Sequence, residues 1–338
     1  MPARQFLRNR TGMGQMKKST IKAALAVCLA SASMTAWAQL TPGKPIRIVV
    51  PFSAGGPTDI LARTVATRLG KELDHTIIVE NRPGSGGSIG ADYTARATPD
   101  GHTLMLGSLG TQAINPSVYS TLPYDSMRDF SYIGLVGEYG LVMAVNPALK
   151  VGSVEELVDL ARKNPGKLNY GSAGVGASGN LIGEMFKQKL NLQIEHIPYK
   201  GSTASLMAVV SGDLAFVFDI VSSALPQIQA GKVQALAWTG GVRSPELPNV
   251  PTMEEAGVPG LVVTSWLGLL GPAGMSKETV DQISQALVRI EQTPEMQAEL
   301  QKQGYTYKPM SPAEFRSSVQ DDIKKWAQVI KKAGIKVE

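Results

Sequence analysis

The 338-residue sequence predicts an α/β protein of two doubly wound lobes with a central ligand cleft. Three observations predict it. A unit of β-branched strand, Gly-rich loop and helix recurs along the chain. The whole series of such units occurs twice. Two long strand-like runs, one between the copies and one after the second, read as paired crossings that carry the chain out and back.

The first copy opens with the strand Ile46-Arg47-Ile48-Val49-Val50 and the loop Pro51 to Asp59, which holds Gly55-Gly56. Ile60, Leu61, Val65 and Leu69 then share one face of a helix. Thr76 to Glu80 is a second strand. The loop Arg82-Pro83-Gly84-Ser85-Gly86-Gly87-Ser88 leads into a helix from Ile89 to about Ala97, and Thr103 to Leu106 is a third strand ending at Gly107-Ser108.

The second copy starts at Lys167. Strand Leu168-Asn169-Tyr170, loop Gly171 to Gly179 and helix Asn180 to Leu190 come first. Strand Ile194 to Pro198, loop Tyr199 to Ser202 and helix Thr203 to Ser211 follow, then strands Leu214 to Asp219 and Gln234 to Thr239. Such alternation predicts parallel sheets with helices on both faces and a ligand beyond the carboxyl ends of the strands. Two facing sheets would bring five or six Gly- and Ser-rich loops together.

Gly134 to Asn146 and Leu261 to Leu270 are the crossing runs. From Pro272 the chain returns to the first lobe with two helices. One follows Ser276. The other has Ser311 as N-cap, Pro312 at N1 and Glu314 at N3, a capping box, and its stripe Phe315, Val319, Ile323, Trp326, Ile330 reads as core. Ser153 and Glu156 make another capping box. The expected division is residues 1–38 as a leader, 39–142 with 267–338 as lobe 1, and 143–266 as lobe 2.

The leader has the parts of a secretory signal peptide: Met16-Lys17-Lys18, the apolar run Ile21 to Leu29, and Ala36-Trp37-Ala38 before Gln39. Met16 is the expected initiator, and the expected destination is the periplasm. The apolar run is too short to anchor in a membrane. Cys28, the single cysteine, lies within it behind Val27 rather than the Gly or Ala that lipidation prefers, so the exported chain would hold no thiol. The leader also carries six basic residues and no acid. Removing those six from the 33 Lys and Arg leaves 27 against 28 acidic residues, a net of −1 instead of +5. The basic charge belongs to the leader and gives no argument for nucleic acid.

Four motifs resemble the Bug family, the extracytoplasmic binding proteins of tripartite tricarboxylate transporters. They are Pro51-Phe52-x-x-Gly55-Gly56-x-x-Asp59, Asn81-Arg82-Pro83-Gly84-Ser85-Gly86-Gly87, Asn115-Pro116-x-x-Tyr119-x-x-Leu122-Pro123-Tyr124-Asp125 and Pro198-Tyr199-Lys200-Gly201. They occur in order with compatible spacing, and the likeness runs from Pro45 to the end. The resemblance implies a type II periplasmic-binding-protein fold. It implies a small organic anion as ligand, delivered to a permease of one large and one small membrane subunit. Family ligands are di- and tricarboxylates, acidic amino acids and aromatic acids, held by backbone N–H groups, hydroxyls and waters rather than by an arginine clamp.

The residues agree. A loop that opens a helix offers unpaired N–H groups and the positive end of the helix dipole, which suits an anion. Gly55, Gly56, Gly86, Gly87, Gly174 and Gly176 permit close backbone approach, with Ala54 and Ala173 in the same loops. Ser53, Ser85, Ser108, Thr111, Ser172 and Ser178 add hydroxyl donors. Phe52 and Tyr199 would contact the ligand body. Asp59 and Asp219 are candidates for an ammonium group, with helix support the plainer role for Asp59. Lys200 either meets a carboxylate or is solvated, and Arg82 sits at the rim or pairs with Glu80.

Enzyme readings are weaker. Gly174-x-Gly176-x-x-Gly179 matches the dinucleotide fingerprint with Glu195 as the ribose acid, but the strand before it is polar and the chain carries an export signal. Gly86-Gly87-Ser88-Ile89-Gly90 matches a nucleophile elbow, but Asn81-Arg82-Pro83 separates it from its strand. His75, His102 and His196 stand where structural roles suffice. No metal-ligand spacing, P-loop or cofactor motif is present in the sequence. The expectation is a binding protein, not an enzyme, that closes about a hinge near Trp238 and Trp266.

Overall fold

The computed structural model describes residues 40–333, so the leader and Cys28 lie outside the described residues. Two five-stranded sheets carry the fold. The first has strand order β2-β1-β3-β10-β4 and the second β7-β6-β8-β5-β9.

The first sheet contains β1 (Ile46–Val50), β2 (Ile77–Asn81), β3 (Thr103–Ser108), β4 (Phe130–Tyr139) and β10 (Ser265–Pro272). The second contains β5 (Leu141–Val145), β6 (Asn169–Ser172), β7 (Glu195–Pro198), β8 (Phe216–Ile220) and β9 (Gln234–Trp238). In each, the first three strands in sheet order are parallel, and a fourth runs antiparallel between the third and the fifth. The all-parallel expectation is therefore corrected. The antiparallel strand of each sheet, β10 or β5, arrives from the other sheet and so enters from the opposite end.

The run Gly134 to Asn146 is two strands, not one. It breaks at Gly140, where a side chain would strike the Trp238 ring, and β4 and β5 fall in different sheets. The return run is strand only from Ser265. Leu261 and Val263 ahead of it are buried without strand structure.

The helices are α1 (Pro57–Leu73), α2 (Ser88–Ala95), α3 (Asn115–Val118), α4 (Val154–Lys163), α5 (Ser178–Lys189), α6 (Ser202–Ser211), α7 (Val221–Gln229), α8 (Lys277–Glu291), α9 (Pro294–Lys302) and α10 (Pro312–Ala333). In α1, Leu61, Val65 and Leu69 are buried as expected, but Ile60 is exposed because it falls off that stripe. Helix α9 was not foreseen, although Thr293 caps it and Pro294 stands at its start. The α10 stripe Phe315, Val319, Trp326 and Ile330 is buried over the first sheet, where Phe315 packs on Gly268. This return of the carboxyl-terminal helices joins both ends of the described chain in one core.

Candidate functional site

The carboxyl ends of the parallel strands of both sheets point at one cavity. Its internal volume is about 60 Å³. Three helices begin at its wall: α1 with Gly56, Pro57 and Thr58; α5 with Ala177, Ser178 and Gly179; α6 with Gly201, Ser202 and Thr203. Helix α1 comes from the first lobe, α5 and α6 from the second.

The N-caps of these helices are unusual together. Gly56, Ala177 and Gly201 hold the cap positions, and none supplies a side-chain cap hydrogen bond. Four helices that start away from the cavity are capped by hydroxyls, Ser153 for α4, Ser276 for α8, Thr293 for α9 and Ser311 for α10, whereas α2 and the short α3, with Gly87 and Ile114 at the cap, are not. A cap hydroxyl satisfies an orphan N–H, so leaving it out keeps the donor available. The cavity thus gathers three positive helix ends whose first N–H groups have no side-chain acceptor.

Hydroxyls of Ser53, Thr58, Ser108, Ser178, Ser202 and Thr203 belong to the same wall. Phe52, Tyr139, Leu141, Phe218 and Ile220 make its apolar part. Among the described residues, no Lys, Arg, His, Asp or Glu lines it.

Hydrogen bonds join the two lobes around the cavity. Ser53 Oγ donates to the Lys200 carbonyl at 2.8 Å and Tyr119 OH to the Val175 carbonyl at 3.1 Å. Ser178 Oγ and Ser265 Oγ lie 2.8 Å apart. Gly86 and Gly176 make this fit possible. A Cβ on Gly86 would run into the Val175 carbonyl, and one on Gly176 into the Asn115 side chain. An outer depression of about 230 Å³, lined by Ser85, Gly86, Gly87, Gly174, Tyr199 and Lys200 among others, adjoins the cavity through Phe52 and Ala173.

The expected site residues thus divide. Phe52, Ser53, Gly56, Ser108, Ala173 and Ser178 line the inner cavity. Ser85, Gly86, Gly87, Gly174, Tyr199 and Lys200 lie at the outer depression, and Ala54 and Gly55 are exposed beside neither. Gly176 serves the lobe contact. Two hydroxyls turn inward. Thr111 donates to the Ser108 carbonyl and accepts from the Ser108 N–H. Ser172 donates to the Gly174 carbonyl, accepts from the Gly174 N–H, and lies 2.7 Å from His196 Nε2. Both hold their own loops in shape.

Asp59 also stands behind the wall. It accepts from the Gly55 N–H at 2.9 Å, from Arg63 at two oxygens, and from Asn81 at 2.9 Å. Burial pushes its pKa up, but the bonds from Arg63, Gly55 and Asn81 outweigh that and leave it below the usual carboxylate value. Asp219 is 1% exposed at the end of β8 and accepts from the Ile220 N–H and the Ser223 hydroxyl. Burial holds its pKa above the ordinary value, against hydrogen bonds from Ser223, Ile220 and Ser202.

Among the lining residues that sequence reasoning missed are Thr58, Ser202 and Thr203 in the first turns of α1 and α6, and Tyr139, Leu141, Phe218 and Ile220 from strand ends. The first group followed from placing the helix starts. The second depends on the crossing between sheets.

Against known proteins, the profile described as "Tripartite tricarboxylate transporter family receptor" matches residues 61–335. The chain belongs to this receptor family. Protein BugT of Bordetella pertussis is 31% identical over 326 residues, covering 96% of this chain and all of that one. A solved structure, R. palustris Rpa4515 with adipate, superposes with TM-score 0.85 and that of the periplasmic binding protein BugD with 0.84; each is 33% identical and covers 88% of this chain. The match covers 99% of the former and 100% of the latter.

Receptor membership accords with the fate of the enzyme motifs. The Gly174-x-Gly176-x-x-Gly179 loop does join a strand to a helix, but Gly86, Asn115 and Tyr119 of the first lobe cover it. Ser88 of the elbow-like motif is buried and hydrogen-bonded by Asn115. His75 and His102 contact backbone carbonyls, and burial, helped by Lys187, lowers the His196 pKa to about 4. Arg82 pairs with Glu80 at 2.6 Å.

Proposed function

We propose that this receptor captures a small organic carboxylate in the inner cavity and presents it, lobes closed, to a permease of one large and one small membrane subunit. The carrying observation is the set of three helix N-termini, drawn from both lobes, with Gly or Ala at the cap. Such ends attract an anion, and hydroxyls of Thr58, Ser108, Ser178 and Ser202 would complete its hydrogen bonding. Phe52 and the apolar strand ends would meet the carbon body. The adipate of the related receptor supports the ligand class.

Ligand spanning both walls would favour the closed arrangement over the open one. We take the lobes to exchange at Gly140 and just before Ser265, two residues earlier than the sequence boundaries, and residues 1–38 to direct export. Among the described residues, Tyr139 is the one titratable side chain that lines the cavity, and we assign the cavity to binding.

A thermal-shift and calorimetric panel of acetate, malate, adipate, citrate, glutamate and benzoate tests the reading. A carboxylate at a hundred times its Kd should stabilise the fold by roughly 2.7 kcal/mol. Gly86→Val should keep the fold and lose at least about tenfold in affinity, because its side chain holds the lobes apart. Absence of any carboxylate response, or wild-type affinity in Gly86→Val, would refute the closed-cleft site.

A further inference from the structure

Asp219 stands directly behind the second-lobe wall of the cavity. Its strand neighbours Phe218 and Ile220 line that cavity, and so does Ser202, which is near enough to pull the Asp219 pKa down against burial. Oδ1 accepts the Ile220 N–H at 2.8 Å and Oδ2 the Ser223 hydroxyl at 2.6 Å. These donors are neutral. Among the described residues no Lys, Arg or His is ion-paired with Asp219.

The elements packed around it offer little compensation. Strand β5 and helices α6 and α7 contain no titratable residue. Tyr170 of β6 and Glu184 and Lys187 of α5 engage one another beside Phe216 and Phe186, whereas Asp219 alternates with Phe216 and Phe218 along β8 and faces the other way. From the first lobe, Tyr139 and Tyr305 feel the Asp219 charge, and both are themselves held neutral by burial.

An anion in the cavity would therefore meet a second carboxyl group behind the wall made by Phe218 and Ile220, with little water to screen the pair. Two carboxylates in one poorly solvated site do not both stay ionised; one retains a proton. We propose that Asp219 makes ligand capture proton-linked: as the carboxylate enters, Asp219 takes up one proton from solvent and remains protonated in the complex. No heavy-atom bond is made or broken. The new O–H donates to the Ser223 oxygen, which already lies at hydrogen-bond distance. Burial biases the free protein in the same direction. The inference rests on the cavity being the carboxylate site. It makes Asp219 a determinant of which charge state of a ligand is held.

The test is calorimetry of the full chain with adipate and malate, in buffers of different ionisation enthalpy, from about pH 6 to about pH 9. Wild type should take up as much as about one proton per ligand at the alkaline end, its affinity falling up to about tenfold per pH unit there. Asp219→Asn should take up none and bind with affinity flat in pH. Buffer-independent heats at every pH, or the same uptake in Asp219→Asn, would overturn the inference. If Asp219→Asn does not fold, the carboxyl carbon resonance of Asp219 in wild type decides. Movement to the protonated position on saturation supports the proton link, and no movement refutes it. Failure of every carboxylate in the panel to bind removes the cavity reading and this inference with it. Binding without proton uptake removes the inference alone.

Discussion

Two buried aspartates back the two walls of one cleft, and their surroundings drive them in opposite directions. Asp59, behind the first-lobe wall, is bound by a bidentate arginine, an asparagine and a backbone N–H. Asp219, behind the second, has hydroxyl and backbone donors and no cation. Both are at most 3% exposed. Depth therefore does not set the charge of a buried acid; its partners do. The first wall is held by a settled ion pair, and the second contains a group whose charge is still open to the ligand.

The largest expected effect tests the settled side. Asp59→Ala removes the acceptor of Arg63, Asn81 and the Gly55 N–H, and should cost about 3 kcal/mol in denaturant unfolding. A loss below about 1 kcal/mol would mean the half-exposed Arg63 is solvated well enough to need no partner.

The pH dependence should separate the pair next. The Asp59 pKa is depressed in the fold, so its stabilisation is present above the unfolded value near 3.9 and fades as pH falls through the folded value. Asp59→Asn should be less stable than wild type at neutral pH and approach it in acid. The Asp219 pKa is raised, so the folded state binds the extra proton and stability falls as pH rises from about 4 towards the folded value. Asp219→Asn should be the more stable protein at neutral pH, with the gain vanishing near pH 4. Melting curves across pH that run parallel for the two variants would erase the contrast.

Glu291 sharpens it from outside the cleft. Burial raises its pKa to about 9, and Oε1 has no hydrogen-bond partner. Between about 4.5 and 9 the fold must keep a proton that the unfolded chain releases, so stability declines with pH across that window. Glu291→Gln should gain roughly 1–3 kcal/mol at neutral pH with ligand affinity unchanged. A change in affinity would tie α8 to the cleft. The smallest effect belongs to the bond between the lobes: Ser53→Ala removes the donor to Lys200 and should weaken binding by a factor of roughly 2–10 in titration.

Much of this could be read from residue order. The Gly-rich loops after Val50 and Tyr170, the capping boxes at Ser153 and Ser311, and the α10 stripe all carry local signals with local causes. The sheets were legible as repeats, but not the reversed strand in each, because β5 and β10 gain their direction from the other lobe. Within the site, residue type was a better guide than expected role. Ser108 and Thr111 are three residues apart with similar side chains, yet Ser108 lines the cavity and Thr111 bonds back to its own loop. Hydroxyl direction is a property of the packed turn, and spacing does not encode it. Tyr139, Leu141, Phe218 and Ile220 meet at the inner wall only because distant strands end at one level.

Among the described residues no lysine, arginine or histidine lines the cavity, and this has a further consequence. Partial charges on helix ends act over one turn, inside a wall that mobile ions do not enter, whereas free cations attract ligand through the electrolyte. Raising ionic strength should therefore leave the equilibrium affinity nearly level, and a receptor gripping through dipoles would keep working where the salt outside the cell swings widely.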